Sequence, residues 1–294
     1  MMKINNIYFK KKCCINKYGE SPEIENNQIA LYVVLTRKCN VNCKFCEYHN
    51  GISEIDVQKF EDTLNWLLSF CNITTVHFTG GEPTLELDKL KQLCKMIKQK
   101  DKLITTSVNT NGTMLKELEG IIELDNIALS RHAIDDNDNR EIFRSNLVPT
   151  AEDIRNFKDK HKLHLSCNLI KGYVDSDEKI IQYLEFVSTL GINDVGIVSL
   201  MNINDFCNQH YVEFDNIGIK ENKQFVKTRC FKNISETTEE ICCKCENYLY
   251  RALNMSLISM YHRYAIKNNE IADYLVYENN VLKQGFNGNI IINN

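Results

Sequence analysis

The chain has 294 residues, and 35 basic against 39 acidic side chains give it a net charge of −4. This length suits about two average domains or one α/β barrel. The acidic balance argues against a generic basic surface for nucleic acid or anionic lipid. The longest purely apolar run, Ile29–Leu35, is too short to span a bilayer. The N-terminal stretch MMKINNIYFKKK lacks the apolar core of a secretory signal, so we expect a cytoplasmic protein.

Short β-branched runs alternate with segments of helical periodicity between residues 29 and 200. This alternation is typical of βα units around a parallel sheet. The predicted strands are Ile29–Thr36, Thr74–Thr79, Ile104–Asn109, Asn126–Ser130, Lys162–Ile170 and Asp194–Leu200.

Apolar stripes and end signals predict five helices between these strands. Ser53 and Asp56 have the spacing of a capping box before the first helix, and Thr150 and Asp153 have it before the fourth. Gly191 is placed to end the fifth helix. The third stripe consists of Leu115, Leu118, Ile121 and Ile122.

Six strands are too few for a closed eight-stranded barrel and match an open partial barrel, in which functional residues lie at the carboxyl ends of the strands. The predicted fold class is therefore α/β: a partial (β/α)6 TIM-like barrel with a small cysteine-rich, β-containing C-terminal extension. We predict an N-terminal extension over residues 1–28, the barrel over 29–205 and the C-terminal region over 206–294.

Thirteen cysteines are unusual in a reducing cytoplasm, where grouped thiols more often bind metal than form disulfides. Cys39, Cys43 and Cys46 follow the first predicted strand with the spacing C-x3-C-x2-C. Such a group suits an iron–sulfur cluster or zinc. Three ligands leave one iron of a four-iron cluster open, which favours catalysis. A structural zinc site completed by His49 is the alternative.

Further motifs follow the other predicted strands. They are Gly80-Gly81-Glu82-Pro83 after the second strand, Ser107-Val-Asn109-Thr-Asn111-Gly112 at the third, and Ser130 and Asn168 at the fourth and fifth. Together with the cysteine spacing and Phe45 before the last cysteine, this order resembles the radical S-adenosylmethionine (SAM) superfamily over roughly residues 29–200.

The resemblance implies that Cys39, Cys43 and Cys46 hold a [4Fe-4S] cluster whose open iron binds SAM. The cofactors then supply a 5′-deoxyadenosyl radical that abstracts hydrogen from the substrate. The implied SAM contacts are the backbone of Gly80 and Gly81, the carboxylate of Glu82, and the side chains of Phe45, Asn109, Ser130, Asn168 and Leu200. Without the cysteines, a Gly-Gly pair would indicate a turn, and a strand-end Ser or Asn would indicate a helix cap.

The polar stretch after Ser130 begins with Arg131 and His132 and continues into three aspartates. The position predicts Arg131 and His132 as catalytic or substrate-binding residues, since an arginine can grip a carboxylate or phosphate with two hydrogen bonds. The alternative is a solvated helix start capped by aspartates. Family members commonly carry an apolar residue and an acid here, so Arg-His is a departure that points to a different substrate.

A second cysteine group consists of Cys230, Cys242, Cys243 and Cys245. The region resembles the cluster-bearing SPASM or twitch extensions and the molybdenum-cofactor cyclase, although its spacing matches none of them closely. The resemblance implies a second [4Fe-4S] cluster, with zinc as the alternative metal. Cys243 is the least suited ligand, because successive side chains diverge in an extended chain.

The leading functional hypothesis is a radical SAM enzyme that acts on a small polar or anionic substrate in a biosynthetic pathway, with a nucleotide-like molecule as one candidate. Its electron donor would be a flavodoxin- or ferredoxin-type protein. The alternative enzyme is a maturase that crosslinks or epimerises a ribosomal peptide; such maturases often carry a leader-recognition domain, and only 38 residues precede Cys39. The alternative of another class is a non-catalytic zinc-binding interaction protein.

Overall fold

The computed structural model describes residues 3–4, 7–9, 28–47, 51, 53–213, 216–228, 245–258, 270–271, 274–286 and 290–293. The strands are β1 (Lys3–Ile4), β2 (Ile7–Phe9), β3 (Gln28–Thr36), β4 (Asn72–Gly80), β5 (Thr105–Thr110), β6 (Asn126–Ser130), β7 (Leu163–Leu169), β8 (Asp194–Ser199), β9 (Phe225–Thr228), β10 (Cys245–Tyr250), β11 (Leu253–Ile258), β12 (Glu270–Ile271), β13 (Tyr274–Glu278), β14 (Val281–Lys283) and β15 (Ile290–Asn293). The helices are α1 (Val57–Leu68), α2 (Leu87–Lys100), α3 (Asp136–Phe143), α4 (Ala151–Asn156), α5 (Asp177–Thr189) and α6 (Asp205–Gln209).

A 12-stranded sheet runs in the order β15-β14-β13-β3-β4-β5-β6-β7-β8-β11-β10-β9, and β1, β2 and β12 form a separate 3-stranded sheet. Neighbouring strands from β13 through β3–β8 to β11 are all parallel. Among the described residues, β11 and β13 at the two ends of this parallel run do not pair with each other. The fold is therefore the predicted α/β type with an open, partial TIM-like barrel.

The helices cover one face of the parallel strands, and side chains alternate between that face and the barrel interior. On β3, Leu31 and Val33 are fully buried and belong to the same core cluster as Phe60 and Leu64 of α1. The intervening Tyr32 belongs to a second cluster on the other face. The alternation thus separates an apolar helix layer from the barrel interior.

The six barrel strands predicted from the sequence are confirmed as β3–β8, with small shifts at their ends. The predicted capping box of Thr150 and Asp153 is confirmed at the start of α4. Gly191 follows the end of α5 with φ +74°, the left-handed conformation expected after a helix.

Two helix predictions are wrong. The third predicted helix is only a 3₁₀ turn over Leu115–Leu118, and Ile122 of its stripe is 87% exposed. The capping box of Ser53 and Asp56 does not form, because Ser53 Oγ donates to the carbonyl of Val34 at 3.1 Å. Asp56 is itself the N-cap of α1 and accepts from the Lys59 amide at 3.0 Å.

Strands that follow residue 205 share the core of the barrel. In register, Leu257 of β11 lies beside Ile197 of β8, and Leu275 of β13 lies beside Leu31 of β3. All four side chains are fully buried in one cluster. The described part of the predicted region 206–294 therefore extends the barrel sheet at both edges, while the boundary at 205 and the extension over 1–28 stay predictions.

None of the described helices combines the length and the apolar composition that a membrane crossing requires.

Replacing Leu275 with alanine should lower the free energy of unfolding by about 2–5 kcal/mol, because a cavity opens in the shared core. The control Leu103→Ala removes an 88% exposed side chain and should change that energy by less than about 0.5 kcal/mol. Urea unfolding followed by far-UV circular dichroism measures both variants. An unchanged midpoint for L275A would show that β13 is not docked on the barrel.

Candidate active site

The loops after the barrel strands bring most of the predicted site residues to one edge of the sheet. The cysteine loop (residues 37–47) follows β3, Gly80–Glu82 follow from β4, Asn109 lies near the end of β5, Ser130 ends β6, Asn168 lies near the end of β7, and Leu200 follows β8. Because these strands are parallel, their carboxyl ends face the same side. The predicted cluster ligands and the predicted SAM contacts thus occupy a common edge.

The cysteine loop is held by backbone hydrogen bonds to α3. The Asn42 amide donates to the Phe143 carbonyl at 3.3 Å, and the Lys44 amide donates to the Ile142 carbonyl at 2.9 Å. Lys44 Nζ also pairs with Glu141 at 2.5 Å. These contacts fix the middle of the loop against α3.

Side chains that follow β5 hold the start of the loop. Asn111 Nδ2 donates to Asn40 Oδ1 at 2.9 Å, and Asn40 Nδ2 donates to Thr113 Oγ1 at 2.8 Å. Asn111 Nδ2 also lies 3.9 Å from Cys39 Sγ, within reach of a weak hydrogen bond to sulfur. Asn111 belongs to the motif at the third predicted strand, where the sequence indicated no role for it. In the structure its side chain orders the start of the cysteine loop.

Cys39, Cys43 and Cys46 are free and partly buried. Burial, followed by the neighbouring Cys46 and Cys39, raises the pKa of the Cys43 thiol, and burial also raises the pKa of Cys39. Neighbouring thiols that oppose each other's ionisation require a positive centre before they can all become thiolates. The core of an iron–sulfur cluster supplies that charge, so the donor set fits the cluster.

No three Cys, His, Asp or Glu side chains among the described residues converge as the ligands of one metal ion do. Ligands of a single zinc ion surround one point, whereas the cysteines of a four-iron cluster each bind a different iron. His49, the fourth ligand of the zinc alternative, lies outside the described residues.

Gly80 and Gly81 pack directly on the chain that leads into the cysteine loop. The Gly81 amide donates to the Thr36 carbonyl, and the Glu82 amide donates to the Lys38 carbonyl, both at 2.8 Å. A Cβ would lie 2.0 Å from Thr36 O at Gly80, where φ is +134°, and 2.2 Å from Lys38 O at Gly81. Only glycine permits this approach, whether or not the same backbone also contacts SAM as predicted.

Glu82 is completely buried and accepts four hydrogen bonds from this chain. Its Oε1 accepts from the Thr84 amide at 3.1 Å, Thr84 Oγ1 at 2.6 Å and Thr110 Oγ1 at 2.8 Å, while Oε2 accepts from the Asn111 amide at 2.7 Å. Burial raises the pKa of the Glu82 carboxyl, and these donors oppose the rise. Glu82 therefore ties the loop after β4 to the loop after β5, and its contact with the SAM ammonium stays a prediction.

His132 lies beside the cysteine loop as a buried, neutral ring. Its ring stacks on Phe143 at 5.1 Å and meets Phe45 edge-on at 4.8 Å. The Asn168 amide donates to His132 Nδ1 at 3.0 Å, so the ring proton is on Nε2. Burial, with a smaller contribution from Arg131, lowers the pKa of His132 to about 3. A neutral imidazole can position its neighbours but cannot act as a cationic acid near neutral pH.

Arg131 requires a correction, because it faces the helix layer and not the interior. It follows Leu129 in the β6 alternation and is 1% exposed. Its Nη2 donates to Asp136 Oδ1 and to the Ile134 carbonyl, both at 2.7 Å, and its guanidinium lies 4.9 Å from the Phe186 ring centre. The predicted grip on a substrate anion is not compatible with this placement. Asp135 caps α3, as the alternative of a capped helix start requires.

An apolar cluster lies next to the cysteine loop on the α6 side. Leu200 is buried there with Ile170 and Cys207, and the Phe45 ring packs against them. Cys207 Sγ also lies 3.5 Å from the Phe45 carbonyl. The structure thus brings together Phe45 and Leu200, two of the implied SAM contacts, while their contact with SAM stays a prediction.

Polar side chains that the sequence analysis missed lie on the interior face of the strands, beside the apolar cluster that contains Tyr32. His164 Nδ1 lies 3.3 Å from Asp194 Oδ2, and His77 stacks on Tyr32 at 4.7 Å. All four alternate with helix-facing apolar residues along their strands. A polar residue at every second position of a strand is the sequence pattern that predicts a side chain facing the barrel interior.

The second cysteine group is described only at its last member. Cys230, Cys242 and Cys243 lie outside the described residues, and Cys245 begins β10. In register, Cys245 lies beside Ile258, and Ile258 lies beside Val198 near the end of β8. The backbone at Cys245 is therefore at the carboxyl edge of the sheet.

Comparison with known families identifies the class of protein. The radical SAM superfamily profile matches residues 33–187, more than half of the chain. The chain belongs to the radical SAM superfamily, so it is an enzyme of the class that uses SAM and a [4Fe-4S] cluster.

Several curated relatives carry the name GTP 3′,8-cyclase. The chain is 29% identical over 177 residues to a "Probable GTP 3′,8-cyclase" of Sulfolobus acidocaldarius, covering 58% of this chain and 55% of that protein. It is 27% identical over 224 residues to a "Probable GTP 3′,8-cyclase" of Saccharolobus islandicus, covering 73% of this chain and 66% of that protein. It is 28% identical over 188 residues to the GTP 3′,8-cyclase of Aquifex aeolicus, covering 58% of each protein. The chain thus spans between about half and two thirds of these relatives.

Solved structures with the same fold include SuiB of Streptococcus suis. Its complex with SAM has a TM-score of 0.52 at 18% identity and covers 64% of this chain and 44% of SuiB. Its complex with the precursor peptide SuiA has a TM-score of 0.51 at 18% identity and covers 62% of this chain and 41% of SuiB. At this identity the likeness concerns the fold alone.

Protonation of His132 should make the stability of the chain pH-dependent. Because the folded pKa of about 3 lies below the ordinary value near 6.5, the neutral ring stabilises the fold above that value, and the stability is lost as pH falls towards 3. Between pH 7.5 and pH 5 the loss is about 2 kcal/mol. His132→Phe keeps a ring but removes the titrating group. From pH 7.5 to pH 5, the free energy of unfolding of this variant should therefore fall by about 2 kcal/mol less than that of the wild type. Parallel urea titrations at the two pH values measure the difference, and identical pH dependence in both proteins would contradict the assignment.

Proposed function

We propose that the chain holds a [4Fe-4S] cluster on Cys39, Cys43 and Cys46 at the carboxyl edge of the open barrel and binds SAM beside it. The observation that carries the proposal is the C-x3-C-x2-C loop, fixed in place by α3 and by the Gly80–Gly81 backbone. When bound, the cluster and SAM supply the one-electron chemistry that produces a 5′-deoxyadenosyl radical. The protein supplies position and shields the reaction from water.

The proposed SAM contacts line the same edge. Phe45 and Leu200 would pack on adenine, Asn168 would bind the ribose, and Asn109 and Ser130 would bind polar groups. The backbone after β4, from Gly80 to Glu82, would face the methionine part. His132 would act as a positioning residue, because its Nδ1 holds the Asn168 amide while its ring supports Phe45.

The proposed substrate is a small polar molecule of nucleotide type. Two pairs on the interior face of the strands, His77 with Tyr32 and His164 with Asp194, support a ligand with several hydrogen-bonding groups. The names of the curated relatives support a nucleotide. Arg131 is not part of this proposal, since it pairs with Asp136 on the outer face. We place the reaction in the cytoplasm, with a flavodoxin- or ferredoxin-type electron donor.

A second [4Fe-4S] cluster on Cys230, Cys242, Cys245 and, less readily, Cys243 completes the proposal. The register of Cys245 with Ile258, and of Ile258 with Val198, supports a position on the same edge as the cysteine loop. β9 supports it too, because Thr228, two residues before Cys230, lies beside Asn247 of β10. A cluster at this edge could contact a substrate held in the barrel.

Cysteine variants separate the two clusters. Anaerobically reconstituted wild type should carry about eight irons per chain, and the triple Ala variant of Cys39, Cys43 and Cys46 about four. That variant should form no 5′-deoxyadenosine with SAM and dithionite, whereas the triple Ala variant of Cys230, Cys242 and Cys245 should still cleave SAM. The control C71A/C94A changes two buried core cysteines and should keep all iron and activity. A colourless zinc protein that leaves SAM intact would refute the proposal.

A substrate screen tests the nucleotide class. GTP and other nucleoside triphosphates should raise the rate of 5′-deoxyadenosine formation and be consumed in the same reaction. His77→Phe keeps the stacking on Tyr32 but loses a polar group of the interior, so it should lower the substrate-dependent rate about tenfold, as expected for one lost hydrogen bond. Its substrate-free SAM cleavage should not change. Acceleration by a peptide and by no nucleotide would favour the maturase instead.

A further inference from the structure

Glu278, the last residue of β13, is a buried charge that connects the C-terminal region to the cysteine loop. It is 2% exposed. Its Oε1 accepts from the guanidinium of Arg37, and its Oε2 pairs with Lys283 Nζ at 2.7 Å. A carboxylate at this depth is retained only where it is paired. Arg37 is two residues before Cys39, so the pair reaches the start of the cysteine loop.

The turn between β13 and β14 contacts the chain beyond the other end of the loop. Asn279 and Asn280 have φ of +51° and +62°, the conformation of a tight two-residue hairpin. Asn279 Oδ1 accepts from the Glu54 amide at 3.1 Å, and Asn280 Oδ1 accepts from the Asp56 amide at 2.8 Å. These amides lead into α1, so one hairpin binds the chain on both sides of the cysteines.

The space around Arg37 is shaped for this contact. A Cβ at Gly51 would lie 2.5 Å from Arg37 Cδ, so the arginine stem passes directly over the glycine. A Cβ at Gly81 would lie 2.7 Å from the Arg37 carbonyl. Arg37, the first residue of the cysteine loop, is thus packed against glycine at both its side chain and its backbone, and Glu278 anchors its guanidinium.

We propose that the hairpin over residues 274–286 is a clamp. It binds Arg37 at the start of the cysteine loop and the amides of Glu54 and Asp56 beyond its end, and so determines how firmly the chain retains its cluster. Glu278 is the positioning residue of this clamp, acting through Arg37. The inference rests on the proposed role of Cys39, Cys43 and Cys46 as cluster ligands. It gives the C-terminal region a part in the first metal site that does not depend on the second cysteine group.

The variant Glu278→Gln tests the clamp, because it keeps the shape of the side chain and removes its charge. In the reconstituted full-length chain we expect iron transfer to a chelator to become at least about tenfold faster, as expected when one partner of a buried ion pair is lost. In the cluster-free chain, amide hydrogen exchange over residues 37–56 should become faster. Alkylation of the thiols of Cys39, Cys43 and Cys46 should become faster too. Arg37→Lys keeps the charge without the forked geometry and should give a smaller change in the same direction.

The matched control is Glu61→Gln, which breaks the 2.5 Å ion pair between Glu61 of α1 and Lys100 of α2. It should leave both the iron-transfer rate and the exchange of residues 37–56 at wild-type values. Wild-type behaviour of E278Q and R37K, or acceleration spread evenly over the whole chain, would overturn the clamp. If the wild type binds no iron, the proposed function fails, and the exchange comparison on the cluster-free chains then decides the clamp by itself.

Discussion

The close approach of the Gly80–Gly81 backbone to the end of β3 is the contact on which the rest of the site depends. Two amides, those of Gly81 and Glu82, donate to the carbonyls of Thr36 and Lys38. No side chain larger than hydrogen fits at either glycine. The hydrogen bonds therefore extend the pairing of β3 and β4 past the sheet into the two loops. The cysteine loop consequently leaves the barrel in a fixed direction, which a multi-centre metal site needs.

Buried charges at the strand ends strengthen this arrangement, and each is satisfied in a different way. Glu82 accepts hydrogen bonds from hydroxyls and amides, Arg131 pairs with Asp136, and Glu278 pairs with Arg37 and Lys283. An unpaired ion at these depths would cost several kcal/mol. Glu82 joins the loop after β4 to the end of β5 and the loop that follows it, and the pair of Glu278 with Arg37 joins β13 to the loop after β3, so these segments are fixed relative to one another. Arg131 and Asp136 instead stabilise a single connection, the one between β6 and α3. The edge is therefore pre-organised by polar contacts, and the walls below it by apolar packing.

The sequence predicts the strands well because β3 is a nearly continuous apolar run and the other barrel strands are short runs in which β-branched or apolar residues recur between helical segments. It fails for the stripe from Leu115 to Ile122, because Gly112 and Gly120 adopt positive φ on either side and leave room for one 3₁₀ turn. It gives α3 only as the alternative of a capped helix start, because the sequence DNDNREIF is polar and buries few apolar side chains. The alternation along β6 already places Arg131 on the face of Leu129, and this signal was outweighed by the position of Arg131 after a strand.

Long-range pairing explains what local patterns could not predict. The run Tyr274–Tyr277 is entirely buried, which is typical of a strand inside a sheet, yet nothing in it specifies β3 as its neighbour. The same holds for β11 beside β8. With these two strands, the parallel part of the sheet has a C-terminal strand on each side, β11 beside β8 and β13 beside β3. The second pairing brings the proposed clamp next to the chain that carries the first cysteines. Deleting the C-terminal region would then remove an edge of the barrel and a support of the cysteine loop, and not merely an accessory domain.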